Sequence, residues 1–191
     1  MSKQGKLNLD CIASDPTSSI LYGIANAQGN TPSDEYTVLV KSNTNPSNIA
    51  TGNLEWSIVS KVRISKTAYR YPLINTVVCA VSSGGEFSAF YYNPTYLTGA
   101  GPVLAPVGVR FDPKKETEEG GGSGWSDIVG SSAKLAWVHR YLFPKAFYVR
   151  DASSGAESVV LLLTDDFASV IRFGVVDEAT NTLRLAGVWK E

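Results

Sequence analysis

Residues able to do chemistry are few in this chain, and their spacing is poor for catalysis. A structural zinc site of the usual kind needs four Cys or His ligands, and the sequence offers Cys11, Cys79 and His139 in all. Nucleophilic catalysis of the Ser-His-Asp or Cys-His kind would have to use His139. That residue lies in Ala136-Trp-Val-His-Arg-Tyr-Leu142 with no nucleophile motif beside it, and reads as a rim or packing residue. Asp165-Asp166, Asp112, Asp151 and Asp177 end strands or start turns. Aspartate there bonds its own backbone, so no carboxylate pair for acid–base work is expected. Gly120–Gly124 follows a charge cluster and precedes a tryptophan, which makes it a surface loop and not a phosphate cradle. The sequence thus predicts no catalytic residue, no metal and no cofactor. Tyr91, Tyr92, Asn93 and Tyr96 combine flat apolar faces with hydroxyl and amide groups in a Gly- and Pro-rich connection, and are the predicted ligand-binding residues.

Composition removes further classes. The 191 residues carry 17 Lys+Arg against 18 Asp+Glu, a formal charge of −1, with 43% hydrophobic and 18% charged residues. That is enough apolar material for a core, and it offers no basic field to hold a nucleic-acid backbone. The longest apolar runs, such as Ser158 to Thr164, fall far short of the roughly 20 residues of a membrane span. Met1 to Leu9 has no hydrophobic centre for a signal peptide. Proline blocks the acceptor sequences at Asn45-Pro46-Ser47 and Asn93-Pro94-Thr95. Neither feature marks export, and localisation stays open.

The elements that must position these residues are strands. Short segments rich in Val, Ile, Tyr and Phe alternate with Gly, Pro, Asn, Asp and Ser, and no stretch sustains a helical period. The pattern predicts strands at Leu7–Ala13, Ile20–Ala25, Tyr36–Lys41, Leu54–Val62, Thr76–Val81, Glu86–Tyr92, Gly108–Phe111 and Trp125–Val129. Lys145–Arg150, Ser158–Leu163, Val170–Val175 and Leu183–Trp189 complete the series. They fall into three sets of four. Cys11-Ile-Ala-Ser-Asp and Cys79-Ala-Val-Ser-Ser each precede a turn, and Val149-Arg-Asp-Ala-Ser-Ser-Gly stands at the third such place. Val109-Arg-Phe-Asp echoes Ile171-Arg-Phe-Gly, and Trp56, Trp125 and Trp189 mark the fourth strands.

A repeat of four antiparallel strands with an aromatic at a fixed place resembles the blades of β-propeller repeat proteins. Lys41-Ser-Asn-Thr-Asn-Pro running on to Leu54-Glu-Trp-Ser is distantly similar to the Asp-box of sialidase-like propellers, with Asn43 and Asn45 where Asp would stand and a longer spacing to Trp56. The blade pattern also resembles secreted propeller-like proteins of fungi. The resemblance implies an all-β domain over residues 1–191 with blades at about 7–66, 72–138 and 139–191, and a two-sheet β-sandwich is the competing architecture. Gly130–Pro144, with Trp137, Tyr141 and Phe143, is expected to hold an extra strand or a bridging loop. The sialidase arginine cluster has no counterpart: of Arg63, Arg70, Arg110 and Arg172, only Arg110 and Arg172 fall at matching repeat positions.

On blade geometry the three tryptophans read as packing residues. Cys11 and Cys79 would line the channel on neighbouring inner strands about 8–12 Å apart, beyond disulfide reach, so free thiols are expected. Three blades cannot close a ring, which predicts self-association into a closed ring, most simply a dimer, or completion by a missing propeller segment. The function implied is a non-enzymatic, lectin-like module taking neutral glycans through its rim loops. A protein-interaction scaffold is the alternative and a glycosidase the weaker third, with no nucleic acid and no membrane as partner.

Overall fold

A computed structural model describes residues 8–28, 35–42, 54–61, 77–97, 101–116, 124–128, 142–164, 170–177 and 179–190. His139, Asn43, Asn45, Arg63, Arg70, Trp137, Tyr141, Asp165 and Asp166 lie outside the described residues. The described chain is all-β, and its strands form three four-stranded antiparallel sheets, each built from strands consecutive in sequence. The first sheet holds β1 (Asn8–Ser14), β2 (Leu21–Gln28), β3 (Glu35–Ser42) and β4 (Trp56–Lys61). The second holds β5 (Val78–Val81), β6 (Phe87–Leu97), β7 (Gly101–Phe111) and β8 (Trp125–Ile128). The third holds β9 (Leu142–Arg150), β10 (Glu157–Thr164), β11 (Val170–Asp177) and β12 (Thr182–Lys190). Each segment read as a strand from the sequence contains one. Leu142–Pro144, the end of the segment expected to hold an extra strand or a bridging loop, opens β9.

The sheets stack in chain order through their first strands, β1 against β5 and β5 against β9. Three sheets are present where a sandwich would have two, and they do not close on themselves. Cys11, Tyr22, Ile24, Leu39 and Val59 of the first sheet meet Val81, Phe87, Ala89, Phe111 and Trp125 of the second in one core. A second core joins Ala80, Phe90 and Ile128 of the second sheet to Tyr148, Val159, Leu161, Leu163 and Leu183 of the third. The middle sheet therefore buries both faces, which strand alternation makes possible by sending successive side chains to opposite sides.

Counting back from the turn-closing residues Asp15, Ser82 and Asp151 shows how the repeat is phased. The residue four before each turn faces the following sheet. Cys11 and Val78 pack there, and Phe147, with no fourth sheet to meet, is 40% exposed. The residue three before faces the preceding sheet. Cys79 and Tyr148 pack there, and Ile12, with no sheet before it, is 54% exposed.

Cys11 and Cys79 thus differ by one position in phase and point at each other, not along the channel in parallel. They form a disulfide with a Cα–Cα separation of 6.1 Å, which corrects the expectation of free thiols. A one-residue offset reverses the face a strand residue takes, and that reversal brings the two sulfurs together.

The tryptophans need the same correction. Trp56 pairs with Ser42 and Trp125 with Phe111, each at the start of a fourth strand, but Thr182 holds that place in the third sheet, opposite Asp177. Trp189 lies near the far end of β12 opposite Ile171 and is 49% exposed, so it does not pack between these sheets. Ile171-Arg-Phe opens β11 whereas Val109-Arg-Phe closes β7, so Arg110 and Arg172 are not equivalent either. Trp125 is the inter-sheet packing residue of the set. Its ring lies 5.0 Å from that of Phe111, and its Nε1 donates to Ser60 Oγ on β4 at 3.0 Å. Trp56 packs on Ala25, Val38 and Val40 on the first sheet's outer face.

Trp125→Ala is expected to cost about 3–5 kcal/mol, and Ser60→Ala, which removes only the indole's acceptor, about 1–3 kcal/mol, both read from denaturant unfolding. Reducing the disulfide that spans 68 residues should remove about 4 kcal/mol in the chain-entropy account, and an unfolding midpoint unmoved by reductant would contradict it.

Candidate functional site

Because each sheet is a four-strand meander, the turns that follow first strands and those that follow third strands lie at the same end of the molecule. The three first-strand turns are closed by backbone bonds from Asp15 N to Ile20 O, Ser82 N to Glu86 O and Asp151 N to Ala156 O. Side chains do the rest. Asp15 Oδ1 accepts from the Thr17 amide and hydroxyl at 2.8 Å each, and its Oδ2 accepts from Ser18 Oγ. Ser82 Oγ accepts from the amides of Gly84 and Glu86. Asp151 Oδ1 accepts from the amides and hydroxyls of Ser153 and Ser154. Gly85 and Gly155 take φ of 80° and 70°, the left-handed region that glycine reaches without a Cβ penalty.

Along the inner strands below these turns runs a groove of about 650 Å³. Ile12, Cys79 and Phe147 supply its apolar surface, and Thr17, Ser83, Arg150 and Glu157 its polar margin. Glu157 Oε2 accepts from the Ser83 amide at 2.9 Å, tying the third sheet to the turn of the second. Tyr148, also on the wall, shares a 2.9 Å hydrogen bond with Ser88 of β6. Glu157 is the groove's carboxylate and Arg150 its guanidinium among the described lining residues. The described lining residues therefore include no pair of carboxylates. No group of three or more His, Cys, Asp or Glu able to hold a metal occurs among the described residues.

A smaller cleft of about 260 Å³ opens at the same end between the second and third sheets. The Glu86–Arg110 ion pair and the Asp112–Lys115 pair at 3.5 Å line it, and Asn181 Nδ2 donates to Ser126 Oγ across it at 3.4 Å. Asp112 caps the short 3-10 turn Pro113–Lys115 through the Lys114 amide, and Asp177 accepts from the amides of Ala179 and Thr180. Asp112, Asp151 and Asp177 are thus turn residues, as their positions in sequence suggest.

The predicted ligand residues Tyr91, Tyr92, Asn93 and Tyr96 lie elsewhere. They belong to β6 and not to a connection, opposite Val107, Pro106, Ala105 and Pro102 of β7. β5 pairs only with Phe87–Phe90 and β8 only with Gly108–Phe111. Beyond those pairings β6 and β7 continue, among the described residues, as a two-stranded arm at the end of the sheet away from the groove. The side chains of these four residues lie outside the described set. Sequence reasoning missed Phe147, Arg150, Glu157 and Ser83. The signal was available in the repeat phase, since the residue four before the last first-strand turn has no following sheet to cover it.

The turn carboxylates above the groove are electrostatically shifted. Hydrogen bonds from Ser153 and Ser154 hold Asp151 well below the usual carboxylate range. Burial acts upward on Asp15, but the bonds from Thr17 and Ser18 outweigh it and leave its carboxyl lowered. Burial, and then the Asp15 charge, push the Tyr22 phenol up. With both aspartates depressed in the folded state, their stabilisation is complete above the unfolded value of about 3.9 and is lost as pH falls through the folded values. Carboxyl-carbon NMR titration should give midpoints for Asp15 and Asp151 below that of an ordinary aspartate, and ordinary midpoints would show the turn bonds absent in solution.

The chain matches no protein-family model, no curated protein and no solved structure.

Proposed function

We propose that this chain is a non-enzymatic binding module of propeller-type blades, whose groove along β1, β5 and β9 takes a neutral glycan. The observation that carries this reading is the half-exposed Phe147 ring set beside hydroxyl-bearing Thr17 and Ser83 in one groove of about 650 Å³. A sugar presents a C–H face that stacks on an aromatic ring and hydroxyls that bond to serine, threonine and charged groups. One guanidinium and one carboxylate, in a chain of net charge −1, give no field for a polyanion. The Cys11–Cys79 disulfide fits an oxidising compartment, where glycans are displayed.

The arm bearing Tyr91, Tyr92, Asn93 and Tyr96 is the second candidate seat, and a protein-interaction scaffold is the second reading, favoured by the apolar outer face of the third sheet. A neutral-glycan array followed by titration calorimetry tests the assignment. Phe147→Ala should weaken binding about tenfold, as loss of one stacking face does, while Tyr92→Ala leaves it unchanged. Loss in Tyr92→Ala alone would move the seat to the arm. Absence of any bound neutral glycan would overturn the lectin-like reading.

A further inference from the structure

We propose that the outer face of the third sheet is a dimerisation surface that takes the same face of a second copy of this chain about a two-fold axis. Strand register places Val149, Leu162, Phe173 and Trp189 on this side, away from the core shared with the second sheet, together with Phe147, which lies where the face borders the groove. Val149 is 46% and Trp189 49% exposed. The charged residues of the face sit at its margins, Lys145 and Arg184 on the edge strands β9 and β12 and Asp177 at the end of β11, so the middle of the two central strands, Val160, Leu162, Phe173 and Val175, presents an apolar surface. Monomeric proteins rarely leave a contiguous apolar patch of this extent open to water.

The occupant follows from the other end of the stack. If a copy continued the series head to tail, this face would have to meet the outer face of the copy's first sheet. That face is already closed: Ala25, Val38 and Val40, at its centre, are completely buried, and Ile12 and Ile58 stand out singly. Residues at the centre of the third sheet's outer face, Val160, Leu162 and Val175, remain partly exposed. A contact of this face with its own copy is isologous and closes at a dimer. Four strands about 4.8 Å apart and about 30 Å long cover about 600 Å² per partner, the lower end of what a stable interface buries. Two copies each carrying a net charge of −1 repel one another little.

Sedimentation equilibrium across micromolar concentrations tests the proposal, with circular dichroism as the check on folding. The wild-type chain should fit a monomer–dimer equilibrium. Leu162→Glu, at the centre of the face, and Trp189→Glu, on its rim, should each raise the dissociation constant at least about 30-fold. Trp189 is half exposed, so its variant reads the interface even where Leu162→Glu disturbs the sheet. Ile58→Glu, on the first sheet's outer face, should leave the dimer intact. A wild-type monomer at every concentration, an assembly larger than a dimer, or association lost in Ile58→Glu and kept in Trp189→Glu would overturn it.

Discussion

Each four-stranded sheet of this chain has two apolar faces and only one of them can be covered by a single neighbour. That constraint organises the molecule. The middle sheet, flanked on both sides, buries Phe87, Ala89 and Phe111 toward the first sheet and Phe90 and Ile128 toward the third. Strand alternation makes such a double-faced element from the simplest pattern, since every apolar residue faces one neighbour or the other. The same alternation leaves a mark at each end of the stack, where Ile12 and Phe147 are exposed at positions that in the middle sheet hold the buried Cys79 and the partly buried Val78.

Sequential pairing divides the labour between the two ends of the sheets. One end gathers the short polar turns, whose aspartate and serine side chains satisfy their own backbone amides and hold the groove's margin in shape. The other carries the β6–β7 arm, in which main-chain pairing continues for seven further residue pairs, from Tyr91–Val107 to Leu97–Gly101, without support from β5 or β8.

The strand inventory was legible because β-branched and aromatic runs bounded by turn residues report directly on pleated, half-buried backbone. Grouping by fours followed from the recurrence of those turns. What failed was phase. Cys11 and Cys79 look equivalent when aligned on their neighbours in sequence, but the turns that fix facing begin four residues after one and three after the other. Trp189 shares its residue type with Trp125 and not its register, which only pairing partners reveal. The Tyr91–Tyr96 segment reads as a connection because Asn93-Pro94 breaks the apolar pattern. Among the described residues the arm has no outer neighbour, so no ladder bond is demanded of proline's missing amide there and the strand runs through it. The groove was invisible for a different reason: it is made by three first strands distant in sequence, and its residues carry no local motif.

The cross-link between the first two sheets also sets how the molecule would bear load. Cys11 and Cys79 enclose β2 to β4 and most of the first sheet's connections within a covalent loop of 68 residues. Tension applied to the chain ends would pass from β1 through the sulfurs into β5, leaving three strands of the first sheet shielded from force. About 230 Å of contour length, at roughly 3.4 Å per residue, stays hidden until the disulfide is reduced. The third sheet has no such shield, and its hairpins would extend first.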